Sequence, residues 1–204
     1  MDLELSDARS VFINCPFDSA YSPLFDAIVF TVVSCGFTPR SALETGSVGE
    51  PRLDKITRAL FASRYSIHDL TRCTGEGADN FARFNMPLEL GMAMAHGIVA
   101  PQRAKHEWLV LAPAGHSYAR FVSDLSGFDP ARHDGTVRGV VTQVLAWLRT
   151  RKLKTATPGP QQVLEALPQF EQALQILRSD WSPADPPWRE VVLAAVANKP
   201  RQSN

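Results

Sequence analysis

The 204-residue sequence has no surplus of either charge, because 21 lysines and arginines balance 21 aspartates and glutamates. A net charge of zero gives no support to a broad nucleic-acid or membrane-surface role. The longest apolar run, from Ala27 to Val33, is far too short to span a bilayer. The first ten residues are acidic and polar, unlike a secretory signal. We therefore expect no membrane partner and no direct nucleic-acid partner.

Cysteine is also scarce. Cys15, Cys35 and Cys73 are odd in number and lack CxxC spacing, which argues against a disulfide framework and a zinc site. Reduced thiols predict a cytoplasmic setting. The four histidines that follow residue 90 show no metal-ligand spacing, so we expect no bound metal. No GxGxxG follows the first predicted strand and no GxxxxGK[ST] occurs, which leaves Rossmann dinucleotide binding and P-loop hydrolysis poorly supported.

Apolar residues make up 45% of the chain, enough for a full core. Buried strands are predicted at residues 10–17, 37–43, 65–70 and 106–113, with a weaker fifth strand near 127–132. Between and after them, helical spacing of apolar residues predicts helices at 21–36, 51–64, 85–97, 117–127 and 136–149. Alternating strands and helices indicate an α/β fold, with a parallel sheet covered on both faces.

The character of the sequence changes after Arg151. Residues 152–161 read as a linker, and two helices follow, one over 161–178 with a possible kink at Pro168 and one from Trp188 to about Ala197. We therefore divide the chain into an α/β domain, residues 1–151, and a helical C-terminal appendage, residues 152–204.

Ligands of open parallel sheets bind beyond the carboxyl ends of the strands. Polar or reactive side chains follow three of the predicted strands, and we expect them to converge on one crevice. They are Asn14, Cys15, Phe17 and Asp18 after the first strand, Ser41 after the second, and Asp69 and Arg72 after the third. Arg72 and Arg83 flank a long polar loop and could meet a phosphate. Arg52, at the start of the second helix, is better explained by solubility and capping.

Glu89 is the first candidate for chemistry. We expect it in the first turn of a helix with Asn85 as N-cap, where the helix dipole favours a carboxylate by ~0.3–1 kcal/mol. Dipole compensation alone would also explain a glutamate there. Asp69 has two interpretations as well, a group that orients a ribose hydroxyl or a cap of the following loop. A nucleophilic Cys15 is disfavoured because His68, one residue before Asp69, should point to the opposite face of the sheet.

Two stretches of the sequence resemble one superfamily. SIHDLTR, followed after a loop by RFNMPLELGMAMAHG, places a strand ending in Asp-Leu-Thr before Asn-x-x-x-Glu-Leu-Gly-x-Ala at a helix start. The opening VFINCPFDSAYSPLFDAIVFTVVSCGF is similar to bacterial TIR-like proteins that begin FINCPFD. Over residues 10–150 the chain thus resembles the nucleoside 2-deoxyribosyltransferase-like and Toll/interleukin-1 receptor (TIR)-like superfamily. The resemblance implies a flavodoxin-like three-layer domain with a four- to five-stranded parallel sheet.

The resemblance also implies a reaction, attack at the anomeric carbon of an N-ribosyl bond. The superfamily's catalytic glutamate maps to Glu89, its strand-end aspartate to Asp69 and its helix-opening asparagine to Asn85. A carboxylate beside the anomeric carbon can stabilise or attack an oxocarbenium-like transition state. One carboxylate can suffice when the leaving group is already cationic, as nicotinamide is in NAD, whereas a neutral base also needs a proton.

By resemblance the chain is a TIR-like NAD glycohydrolase, with or without cyclisation of the product, in bacterial defence or signalling. NAD would be its substrate rather than a bound cofactor, and a homo-oligomer would complete the site. Two alternatives stay open. One is a nucleoside or nucleotide 2-deoxyribosyltransferase or hydrolase. The other is a non-catalytic module that senses a nucleotide and transmits the signal through the C-terminal helices.

Overall fold

The computed structural model describes residues 7–44, 49–73, 84–99, 105–115, 118–151 and 157–201. Its strands are β1 (Ser10–Asn14), β2 (Thr38–Ser41), β3 (Tyr65–Asp69), β4 (Glu107–Pro113) and β5 (Ala131–His133). Its α-helices are α1 (Ser22–Ser34), α2 (Arg52–Phe61), α3 (Asn85–Val99), α4 (Val137–Arg149), α5 (Pro160–Trp181) and α6 (Trp188–Asn198). Within these ranges, no helix is both long enough and apolar enough to cross a membrane.

The five strands form one parallel sheet in the order β2-β1-β3-β4-β5. This order confirms the predicted flavodoxin-like α/β fold, and β5 confirms the fifth strand, although it begins later than expected. The chain changes direction across the sheet between β1 and β3, because β2 and β3 lie on opposite sides of β1. Such a switch point opens a crevice at the carboxyl ends of the two strands.

Helices cover both faces of the sheet, α1 and α4 on one face and α2 and α3 on the other. Every residue of β1 and β3 is buried, which explains the uninterrupted apolar run from Val11 to Ile13 in β1. In β3 the polar residues Ser66 and His68 are buried as well and are hydrogen-bonded to each other. Helix α3 approaches the sheet closely at Gly97, where an added Cβ would lie 2.6 Å from the Trp108 ring. This glycine lets the helix that carries Glu89 lie directly on β4.

Helix α1 is covered on its outer side by α5 and α6, so its residues from Phe25 to Ser34 are all buried. The ring of Phe30 stacks on that of Phe170 in α5, with 5.1 Å between centroids. In α6, the indole nitrogen of Trp188 donates a hydrogen bond of 3.2 Å to the carbonyl of Pro39. A helix that is apolar on all sides needs such cover on all sides. The C-terminal helices therefore share one hydrophobic core with the sheet and α1.

A single ion pair ties α5 to α1. The Asp26 carboxylate accepts two hydrogen bonds, of 2.9 and 3.0 Å, from the Arg178 guanidinium. Burial raises the pKa of Asp26, and the bonds from Arg178 act in the opposite direction. Removal of Arg178 would leave a buried carboxylate uncompensated, which is a costly arrangement.

Two local expectations differ from the structure. The helix predicted over 117–127 consists, in its described part, of two 3-10 turns, Tyr118–Arg120 and Ser123–Leu125. The Tyr118 hydroxyl donates to the carbonyls of Leu125 and Phe128, at 3.3 and 2.9 Å, so this segment folds back on itself instead of extending along a helix axis. Helix α5 runs three residues beyond its predicted end and includes Pro168 in its interior.

The shared core predicts that α5 is essential to stability. Phe170→Ala should lower the free energy of unfolding by about 3–5 kcal/mol, because it opens a cavity against Phe30. Ile176→Ala, on the exposed side of the same helix, is the matched control and should change it little. Urea denaturation followed by tryptophan fluorescence measures both. Equal losses for the two variants would contradict a common core.

Candidate functional site

The pleat of the central strands divides the predicted site residues between the two faces of the sheet. Asn14 and His68, which are partners in the β1–β3 register, lie on the face covered by α2 and α3. Cys15 and Asp69 lie on the face covered by α1 and α4. The predicted opposite orientation of His68 and Asp69 is thus confirmed. Successive residues of a strand point to opposite sides, so these residues approach the carboxyl edge of the sheet from two faces. Their convergence on one crevice stays a prediction, and the charges of Asp69 and Glu89 both act on Cys15.

Glu89 lies on the α2–α3 side, at the edge of a pocket of about 210 Å³. The pocket is lined by Arg52, Leu53, Ile56, Asn85, Leu88 and Glu89. The predicted pair of Glu89 and Asn85 is therefore brought together. Only 9% of Glu89 is exposed, and no residue in the described ranges donates a hydrogen bond to its carboxylate. A carboxylate in this state can interact with a ligand without first releasing a protein partner.

The electrostatics of Glu89 differ from expectation. Helix α3 begins at Asn85, with Phe84 as the preceding residue whose carbonyl accepts from the Leu88 amide, so Glu89 lies in the second turn. The first-turn prediction was wrong by one turn, and the dipole effect falls off beyond the first turn. Burial dominates instead and raises the pKa of Glu89 to about 7, while the nearby charge of Arg52 acts to lower it.

A chain of buried hydrogen bonds supports the start of α3. The Asn14 amide nitrogen donates to the carbonyl of Met86, at 3.0 Å, and to Nδ1 of His68, at 2.9 Å. Nε2 of His68 lies 2.8 Å from the Ser66 hydroxyl, which lies 2.8 Å from Nε2 of His106. Nδ1 of His106 lies 2.8 Å from the carbonyl of Ser63. These hydrogen bonds thus form a network that runs along the sheet from the end near Glu89 to the opposite end of β3.

The groups at the two ends of this hydrogen-bond network determine which ring nitrogen of each histidine carries the proton, and the two assignments agree. The Asn14 amide nitrogen can only donate, so His68 accepts at Nδ1 and carries its proton on Nε2. The Ser63 carbonyl can only accept, so His106 carries its proton on Nδ1 and accepts from Ser66 at Nε2. Burial lowers the pKa of His68 to about 3 and that of His106 to about 4, which keeps both rings neutral. This neutral hydrogen-bond network holds the Asn14 side chain in place. Asn14 in turn binds the carbonyl of Met86 and so fixes the first turn of α3.

Asp69 is fully buried on the other face and joins three segments. It accepts from the Tyr21 hydroxyl at 2.5 Å and from the Thr71 amide at 2.8 Å, and the Thr71 hydroxyl also donates to it. Nε2 of His133 faces the carboxylate at 3.3 Å, while Nδ1 of His133 accepts from the Gly135 amide. The bonds from Thr71 are those of a loop cap, the second interpretation of Asp69.

A second pocket, of about 260 Å³, lies between the β1–α1 turn and the C-terminal helices. Phe17 and Asp18 line it together with Trp188, so they are separated from the Glu89 pocket. Arg72 was a candidate for phosphate contact, but its guanidinium binds Asp18 at 3.0 Å. Its charge is therefore balanced by another predicted site residue.

Two further predicted residues that the structure describes, Cys15 and Ser41, line neither pocket. Cys15 is 1% exposed, and burial, with added repulsion from Asp69 and Glu89, raises the pKa of its thiol well above the usual range. The thiol is thus kept protonated, against a nucleophilic role. Ser41 is buried and its hydroxyl accepts from the Leu43 amide. Arg83 lies outside the described residues.

Sequence reasoning missed two residues of the Glu89 side. Arg52 was assigned to solubility and capping, yet it lines the pocket. His68 was considered only as an activator of Cys15, although strand alternation alone could have placed it beside Asn14. Within the described ranges, no three His, Cys, Asp or Glu side chains are grouped as metal ligands. The sequence matches no protein-family model and no curated protein.

The raised pKa of Glu89 predicts a pH-dependent effect of Glu89→Gln. In the unfolded chain this carboxyl ionises near pH 4.5 and in the folded chain near pH 7, so the wild type loses stability as pH rises through that window. Glu89→Gln has no carboxyl at this position, so its stability does not fall for this reason. Relative to wild type, its free energy of unfolding should be similar at pH 4 and higher at pH 8, by on the order of 2–3 kcal/mol.

Urea denaturation at pH 4, 5.5 and 8 measures this difference. Glu165→Gln, an exposed glutamate of α5, controls for the loss of one carboxylate. A difference between Glu89→Gln and wild type that is the same at all three pH values would refute the argument from burial.

Proposed function

We propose that this chain is an N-ribosyl hydrolase that releases nicotinamide from NAD, with Glu89 as the group that stabilises or attacks the anomeric carbon. The observation that carries the proposal is the state of Glu89, a nearly buried carboxylate with no hydrogen bond from the described residues, at the edge of a pocket. Its position at the switch point of a flavodoxin-like sheet agrees with the superfamily that the sequence resembles.

The raised pKa of Glu89 fits a cationic substrate. A positive charge within about 4–6 Å favours the ionised form of a carboxyl. The nicotinamide ring of NAD carries such a charge, so binding would ionise Glu89 where it is needed. The carboxylate then faces the ribose carbon that becomes electron-poor as the glycosidic bond breaks. Because little water reaches Glu89, this interaction would be stronger than in bulk solvent.

The pocket composition supports NAD over a neutral nucleoside. Of its lining residues in the described part of the chain, Glu89 alone is a carboxylic acid, and none is a histidine. A deoxyribosyltransferase or nucleoside hydrolase would need a second group to protonate a neutral leaving base. A cationic leaving group departs without a proton. Asn85, exposed at the pocket mouth, would orient the ribose hydroxyls, and Asp69 would act indirectly through the loop it caps.

The pocket is smaller than the ~300–1,000 Å³ of sites that enclose a drug-sized ligand. It would receive the reacting ribose of NAD rather than the whole dinucleotide. We propose that a homo-oligomer completes the site, as the resemblance implies, in a bacterial defence or signalling setting. Activity should then rise more steeply than linearly with protein concentration.

The test is nicotinamide release from NAD by purified protein over a wide range of concentrations. Glu89→Gln should reduce kcat by at least about 100-fold, the usual scale for removing one electrostatic or acid–base group. Glu165→Gln should retain wild-type turnover. Parallel incubation with deoxynucleosides and a free acceptor base detects base exchange. The proposal fails if NAD yields no nicotinamide at any concentration, or if Glu89→Gln is as active as wild type.

A further inference from the structure

Two side chains of opposite charge line the Glu89 pocket without touching each other. Arg52 is close enough for its charge to act on Glu89, yet the two form no ion pair. Within the described ranges, Arg52 has neither a hydrogen bond nor a carboxylate partner. An exposed cation and a nearly buried carboxylate thus face the same space of about 210 Å³, the volume of about seven liquid waters.

Helix stability does not explain Arg52. It is the first residue of α2, directly after Pro51, where the helix dipole presents partial positive charge. A cation at this end is unfavourable for the helix, whereas Asp54, one turn in, is favourable. Glu50, two residues before Arg52, binds Arg58. The positive end of α2 and the Arg52 guanidinium therefore form a local positive region beside the pocket.

We propose that Arg52 binds a phosphate group of the ligand whose sugar lies against Glu89, so that the site takes 5′-phosphorylated nucleosides and not free nucleosides. This inference rests on the proposed function for the position of the sugar. In a nucleotide the 5′-phosphate and the anomeric carbon lie on the same ribose, so one small pocket can offer a cation to the first and a carboxylate to the second. A guanidinium matches phosphate geometry and charge. Arg52 would determine specificity by anchoring the substrate, without contact with the bond that breaks.

A series of three substrates tests this assignment. NAD and nicotinamide mononucleotide carry phosphate at the 5′ position, and nicotinamide riboside carries none. Arg52→Gln should lower kcat/KM for the two phosphorylated substrates at least about tenfold more than for nicotinamide riboside, whose smaller loss reflects the missing Arg52 charge near Glu89. Arg52→Lys should recover part of the loss, because lysine restores the positive charge but not the paired hydrogen bonds of a planar guanidinium. Lys55→Gln, which removes a cation of α2 outside the pocket, should leave all three substrates within about twofold.

An equal effect of Arg52→Gln on all three substrates, or no effect, overturns the assignment. Calorimetry with AMP and adenosine separates it from the proposed function. Wild type should bind AMP at least about tenfold more tightly than adenosine, and Arg52→Gln should abolish the difference. Absence of nicotinamide release together with this preference would refute the hydrolase and keep the phosphate site. Equal affinity for AMP and adenosine, or binding of neither, refutes the phosphate site.

Discussion

Helix α1 carries apolar residues around most of its circumference, with Asp26 its one charged side chain, so it is stable in water only if two layers cover it. The sheet covers its inner side, and α5 and α6 cover its outer side through Phe170 and Trp188. Because α1 directly follows β1, its position also sets the β1–α1 turn at the switch point of the sheet. The C-terminal helices are thus part of the scaffold that holds this turn, and the second pocket lies where they meet it.

At the carboxyl ends of the strands, the two faces of the sheet differ in how their buried carboxylates are hydrogen-bonded. On the α1–α4 face, Asp69 is saturated with hydrogen bonds and joins β3 to the start of α1. On the α2–α3 face, the hydrogen bonds from Asn14 through His68 fix the first turn of α3, and Glu89 one turn later accepts no hydrogen bond from the part of the chain that the structure describes. The proposed reaction depends on this contrast between a paired hydrogen-bond network and the carboxylate beside it.

Burial and charge compete at Glu89. Desolvation favours the neutral acid and Arg52 favours the carboxylate, and desolvation is the larger effect. The balance leaves the group near the middle of its titration at neutral pH, where a bound cation can shift it. The same balance makes the burial of Glu89 costly to stability above pH 7.

The sequence alone determined the order and type of most elements, because hydrophobic periodicity and the glycines and prolines that end helices and strands are local features. It identified Glu89 and Asn85 as neighbours, since both lie within four residues on one helix. Apart from the opposite orientation of His68 and Asp69, it did not assign the predicted residues to the two faces of the sheet, because strand register and packing decide which helices each side chain meets. The packing of α2 places Arg52 beside Glu89, and the packing of the C-terminal helices places Phe17 and Asp18 at a second pocket. Likewise, the charge state of Glu89 depends on tertiary burial, which sets the desolvation that no local pattern encodes.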